Sequence, residues 1–201
     1  ATDARLLPSL AANLAGDSAV RLASLEALEG WGKQASAVVP AVVELRNNKE
    51  AAVRSAAVQT LAAIDADIPH LVGELRAALA DADWDVRRVA AESLGQLGPA
   101  AEAAVPQLFG MLANEEDSDF ASSALRGIDA APLEALSLLS EQLDSTDGRT
   151  SAYAIFLLGK LGAQATEILP RLEKMLQDTE AGKGGIREKY LKQAIAAIKG
   201  E

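Results

Sequence analysis

Apolar residues recur along this chain at the spacing of an amphipathic helix. Val86, Val89, Ala90, Leu94 and Leu97 fall on one side of a 3.6-residue wheel, with Arg88, Glu92 and Gln96 on the other. The same pattern returns six times, each time closing on an apolar pair three residues apart: Leu28/Trp31, Leu61/Ile64, Leu94/Leu97, Leu125/Ile128, Leu158/Leu161 and Ile195/Ile198. Successive steps are 33, 33, 31, 33 and 37 residues. A fixed period of that length is the mark of stacked supersecondary units, each burying its apolar face against its neighbours.

Within each unit the punctuation predicts two helices. A first helix, A, opens on an early proline at Pro8, Pro40, Pro69, Pro106 and Pro170, where the missing N–H would have no partner anyway. The fifth unit moves its proline to Pro132, which reads as the helix start. Helix A then runs to a leucine and a polar break, as from Leu14 to Asp17 and from Leu79 to Asp83, where Asp or Asn caps a second helix, B. Ser24, Ala57, Ala90, Ala121 and Ala154 share one column of helix B, so a small residue stands wherever adjacent B helices press together.

Composition agrees with helices rather than sheets. Hydrophobic residues make up 49% of the 201 positions but aromatics only 3%, leaving alanine, the best helix former, to do much of the packing. The formal net charge of −10 argues against nucleic acid, whose affinity comes from clustered Lys and Arg, and against docking on anionic membranes. Charged or polar residues interrupt every apolar run before it reaches about 18 residues, so membrane insertion is not expected. Zero cysteines exclude disulfides and thiolate sites without fixing a compartment, since a cysteine-free solenoid survives in cytosol or periplasm alike.

The stretch from Asp83 to Leu112 resembles bacterial HEAT repeats, including the short phycobilisome-lyase-like type, and the resemblance extends along the whole chain. The family pattern pairs an acidic cap with an arginine that forms a ladder between units. Asp17/Arg21, Glu50/Arg54 and Asp83/Arg87 match it at i, i+4 spacing, which lets the two charges meet. The later units hold Asn114/Ser118, Asp147/Ser151 and Gly184/Glu188 in these columns, so the C-terminal half must rely on other contacts. A segment from Gln177 to Gly185, rich in glycine and charge, lengthens the last step and reads as a loop without the spacing of a phosphate-gripping motif.

Candidate chemistry is sparse. His70 is the one histidine, placed in the polar opening of a helix, so Ser/His dyads and triads have no natural home. The His-Glu pairs of the HEAT-like deoxyhypusine hydroxylases are absent, and the basic groove of HEAT-like DNA glycosylases is replaced by Glu26, Glu29, Glu92 and Asp119. Carboxylate clusters at Glu115 to Asp119, Asp65/Asp67 and Asp81 to Asp85 read as helix caps and turns. No metal or cofactor is expected.

In HEAT-like solenoids the B helices usually line the concave surface. One outward B-helix column reads Glu26, Gln59, Glu92, Ser123, Phe156 and Gln193, and its flank reads Ala23, Ala56, Val89, Phe120, Tyr153 and Tyr190. Aromatics therefore replace small and acidic residues in the later repeats. Phe120, Tyr153, Phe156 and Tyr190 are the candidate partner-binding stripe, rimmed by Arg126, Lys160, Lys189 and Lys192. The competing reading makes them gap fillers where the arginine ladder fails. Trp31 is expected in the core. Trp84 is expected to be exposed at the edge between helices, available to another domain or chain.

The resulting expectation is an all-α, right-handed α-solenoid of about six two-helix repeats in one domain, bounded near 1–32, 33–65, 66–98, 99–129, 130–162 and 163–201. It would act as a non-catalytic scaffold for a protein or peptide. The alternative, implied by repeat type, is an accessory factor resembling the bilin lyases, which handle a tetrapyrrole and its acceptor protein. The start at Ala1 rather than Met, and a first helix with Leu6, Leu7, Leu10 and Leu14 but no polar cap, leave room for other domains of a longer chain.

Overall fold

A computed structural model describes residues 4–179 and 185–201, and among these there are α-helices and short 3-10 segments but no strand. The chain forms two compact units, Ala1–Leu94 and Gly95–Glu201. In the first, the A helices are α1 (Leu7–Asn13), α3 (Val39–Leu45) and α5 (Ile68–Ala78), and the B helices are α2 (Ser18–Trp31), α4 (Ala51–Ile64) and α6 (Trp84–Gln96), the last closing at the division. In the second, α7 (Val105–Met111), α9 (Leu136–Glu141) and α11 (Leu169–Asp178) alternate with α8 (Ser118–Ile128), α10 (Gly148–Leu161) and α12 (Gly185–Lys199).

The prolines and the capping aspartates act as the sequence predicts, whereas Asn48 and Asn114 accept N–H groups of the turns before α4 and α8 and leave those helices without a side-chain cap. Proline stands in the first turn of α1, α3, α5, α7 and α11. Pro132, extended at φ −75° and ψ 147°, precedes the 3-10 turn that leads into α9. Asp17, Asp67 and Asp147 accept first-turn N–H groups of α2, α5 and α10 through their side chains. Gly32, Gly98 and Gly162 follow the closing residues of α2, α6 and α10 at φ between 54° and 61°, turning the chain into 3-10 links that lead to the next A helix. Asp129 takes that role after α8 at φ 52°.

The closing leucines Leu28, Leu61, Leu94, Leu125 and Leu158 are fully enclosed, as are Ala57, Ala90, Ala121 and Ala154 of the small-residue column. Each such leucine contributes about 1.5–3 kcal/mol by leaving water. Trp31 departs from the core expectation and is only half-buried. It belongs to the first repeat, where among the described residues no earlier repeat lies against it. The expected loop from Gln177 to Gly185 falls largely on residues 180–184, outside the described residues.

Candidate partner-binding face

Of the three ladder arginines, Arg54 reaches the next repeat, while Arg21 and Arg87 bond to carbonyls of the turn that precedes their own helix. Arg54 holds Asp81 of the next repeat with Nε and Nη2 at 2.8 and 2.7 Å, while Nη1 donates to the Asn48 carbonyl at 2.9 Å. That grip holds the Asp81 carboxyl below, and the Arg54 guanidinium above, their ordinary ranges. Arg21 donates to the Leu14 carbonyl, and Arg87 to the carbonyls of Asp81 and Ala82. The acids are occupied elsewhere: Asp17 and Asp83 accept N–H groups of the first turns of α2 and α6, and Glu50 accepts from Ser18 of the preceding repeat at 2.5 Å. Free N–H groups at a helix start are nearer to these short side chains than is a guanidinium one turn on, so the cap wins. Trp84 is 45% exposed, with the Arg88 guanidinium 5.6 Å from its ring centroid. Arg88 is in turn bonded to Asp85 and Glu92.

In the second unit serine replaces arginine in that column on α8 and α10, and Ser151 donates from α10 to the Leu143 carbonyl at 2.7 Å, the place in its repeat that Arg21 serves through Leu14. The aromatics gather on the B helices. Tyr153 and Phe156 meet edge to face at 6.2 Å, and Tyr190 lies 6.4 and 5.3 Å from their respective centroids. Phe120, Tyr153 and Tyr190 are buried, and Phe156 is half-buried in a column whose other members, Glu26, Gln59, Glu92, Ser123 and Gln193, are exposed. Burial, with the neighbouring Tyr153 hydroxyl, pushes the Tyr190 phenol above its ordinary value.

Two open clefts flank this cluster, and Tyr190 lines both. One, of about 480 Å³, runs along α10 and α12 between Phe156, Lys160, Tyr190, Gln193 and Glu201. Its floor includes Gly159 and Ala194, where the helices nearly touch: a Cβ on Gly159 would lie 2.9 Å from the Ala194 Cα. The other, of about 470 Å³, is bordered by Asp119, Arg126, Arg149, Tyr153 and the 61% exposed Ile186. Two of the expected rim cations lie on the rings themselves. Arg126 donates to the Tyr153 hydroxyl, and Lys160 lies 5.2 Å from the Phe156 centroid while pairing with Asp129 at 2.5 Å. Lys192 pairs with Glu188 within α12 at 2.7 Å, and Lys189 is exposed. Gly159 and Ala194, which let the cleft form, were not legible as functional because a glycine in a helix signals close approach only once its neighbour is known.

Residues 66–129 match the family model of HEAT repeats. Among solved structures, an engineered protein is 22% identical over 96% of each chain, with a TM-score of 0.60. A designed armadillo repeat protein in complex with the peptide (KR)4 is 21% identical, covering 96% of this chain and 99% of that one at a TM-score of 0.63. The complex of CpcE and CpcF of phycocyanin lyase from Nostoc sp. PCC7120 is 18% identical over 98% of this chain and 95% of that one, at 0.53. No curated protein matches the chain. The fold is thus that of the armadillo- and HEAT-type α-solenoids, with HEAT-repeat sequence at its centre.

Proposed function

We propose that this repeat solenoid is a non-catalytic scaffold that holds a partner protein or peptide against the B-helix face of its second unit. The observation that carries the reading is the Tyr153, Phe156 and Tyr190 cluster standing between two clefts that share Tyr190. Buried tyrosines braced by ring contacts offer a rigid apolar wall, and Phe156 presents its edge to a ligand at little entropic cost. A similar fold that binds a peptide, the designed armadillo protein, supports the reading. The acidic net charge argues against duplex nucleic acid as the occupant. Trp84 with Arg88 is proposed as a separate, smaller contact point in the first unit.

Affinity capture from source cells with the unaltered chain, Phe156→Ser and Trp84→Ser tests this. Loss of a captured protein with Phe156→Ser, with the melting curve retained, is the expected result. A partner held equally by both variants would end the reading. An aromatic-walled cleft of about 480 Å³ with Lys160 at its edge also suits a flat, carboxylated chromophore, the accessory-factor reading. An absorbance shift of added bilin that disappears in Phe156→Ser would favour it over the scaffold.

A further inference from the structure

The chemistry of the occupant is narrowed by the charges around the two clefts. Arg126 stands on α8 at the register that holds Glu29 on α2, Ala62 on α4, Gly159 on α10 and Ala196 on α12. Its guanidinium lies 6.0 Å from the Tyr153 centroid and donates to that residue's hydroxyl, which engages one of five N–H donors. The side chain is otherwise exposed and borders the cleft shared by Tyr153, Ile186 and Tyr190. A planar guanidinium steadied by a ring on one side and open on another edge is shaped to take a carboxylate through two parallel hydrogen bonds.

The carboxylates nearby do not fill that role. Asp119 is engaged by Arg149 at 2.8 Å, and Asp129 by Lys160 at 2.5 Å. Glu201 borders the other cleft, at the far side of Tyr190. Lys189 adds an exposed cation on α12, at the register of Asp119 on α8 and Ala152 on α10, both of which line the Arg126 cleft.

Resting on the proposal that this face binds a peptide, we infer that its occupant is an acidic segment in which Glu or Asp lies beside a large apolar side chain. The carboxylate pairs with Arg126, and the apolar group enters the cleft walled by Phe156 and Tyr190 over Gly159 and Ala194.

Fluorescence polarisation with the full chain tests this, using three labelled twelve-residue probes that share phenylalanines in glycine–serine flanks. They differ only in whether the residues beside each phenylalanine are glutamate, lysine or serine. The glutamate probe is expected to bind at least about tenfold tighter than the lysine probe. Arg126→Gln should weaken it by at least about fivefold, and Arg126→Lys by less, with circular dichroism melts of both variants unchanged. Equal or tighter binding of the lysine probe, or an Arg126→Gln variant as tight as the parent, overturns the inference. If the lysine or serine probe binds best and Phe156→Ser abolishes that binding, the groove stands and only the charge preference falls. If no probe binds in a manner sensitive to Phe156→Ser, the groove falls as well.

Discussion

Neighbouring repeats of the first unit are joined by polar side chains tucked between helices: Arg54 to Asp81, Ser55 to Asp85, Ser18 to Glu50, and Arg46 to Glu74. In the second unit the inter-repeat ion pairs lie further out. Asp119 and Asp144, bound by Arg149 and Arg171, are 90% and 77% exposed, against 14% for Asp81. Beneath these outer pairs the repeats are joined by packing, namely three aromatic rings and helices packed backbone to backbone. A repeat can therefore be locked to the next either by half-buried charge or by shape. The second solution leaves a B-helix face of rings and hollows rather than one of paired polar groups.

Two glycines at one register separate these solutions most sharply. Gly30 on α2 and Gly127 on α8 follow their closing leucines by two residues. A Cβ on Gly30 meets nothing within 4 Å, whereas one on Gly127 would lie 2.6 Å from the Gly95 carbonyl oxygen. Gly127→Ala must push two helix backbones apart and is expected to cost about 1–3 kcal/mol. Gly30→Ala should stabilise by up to about 1 kcal/mol through helix propensity alone. Urea unfolding of both variants reads the difference, and equal effects would mean that α8 does not pack against Gly95 as closely as described.

The arginines give the next largest contrast. Arg54→Ala strips a two-point partner from the sheltered Asp81 and a donor from the Asn48 carbonyl, for an expected loss of about 1–3 kcal/mol. Arg149→Ala opens a pair whose acid is 90% exposed and removes a donor from the Ser118 hydroxyl, and should cost about 0.5–1 kcal/mol. Their ratio in chemical denaturation, rather than either value, tests whether the ladder is structural only in the first unit. Asp81 also sets an acid limit. Its carboxyl is held low in the folded chain by Arg54, so its stabilisation is complete above the unfolded value and disappears as pH falls through the folded one.

The periodicity was legible because it records burial: the closing leucines and the small-residue column are sites where one wrong side chain opens a void or a clash, as Leu61 and Ala57 illustrate by their complete enclosure. Prolines and caps were legible for the same local reasons. Partner choice within the polar set was not. The i, i+4 spacing placed Glu50 beside Arg54 on the helix surface, yet Arg54 reaches across to Asp81, 27 residues on, because only there do two carboxylate oxygens face its fork. The aromatic columns were visible in register, but whether Tyr153 and Tyr190 face water or each other depends on the separation of α10 and α12. Gly159 and Ala194 set that separation by a contact between helices distant in sequence.

A modest expected effect concerns the one histidine, and its sign is fixed by geometry. His70 Nδ1 lies 2.5 Å from Asp65 Oδ2, with Asp65 only 5% exposed and its other oxygen accepting from the Asp67 N–H at 2.9 Å. Glu74 stands 3.9 Å from Nε2. The bond to Asp65, helped by these neighbouring carboxylates, raises the imidazole above its ordinary value despite some desolvation. A proton is therefore held more tightly in the folded chain than in the unfolded one. The stabilisation is complete below the unfolded value of about 6.5 and is lost as pH rises through the folded value. Because the imidazole is 43% exposed, screening keeps the effect under about 1 kcal/mol. Urea midpoints should thus fall modestly from pH 6 toward pH 8, and His70→Gln should flatten that slope while leaving the Gly127 and Arg54 contrasts intact. The carboxyls held low by their partners, Asp81, Asp85 and Asp147, titrate far below this window and cannot produce the slope. A midpoint that rises across the same range would mean that His70 is bonded to Asp65 only when neutral.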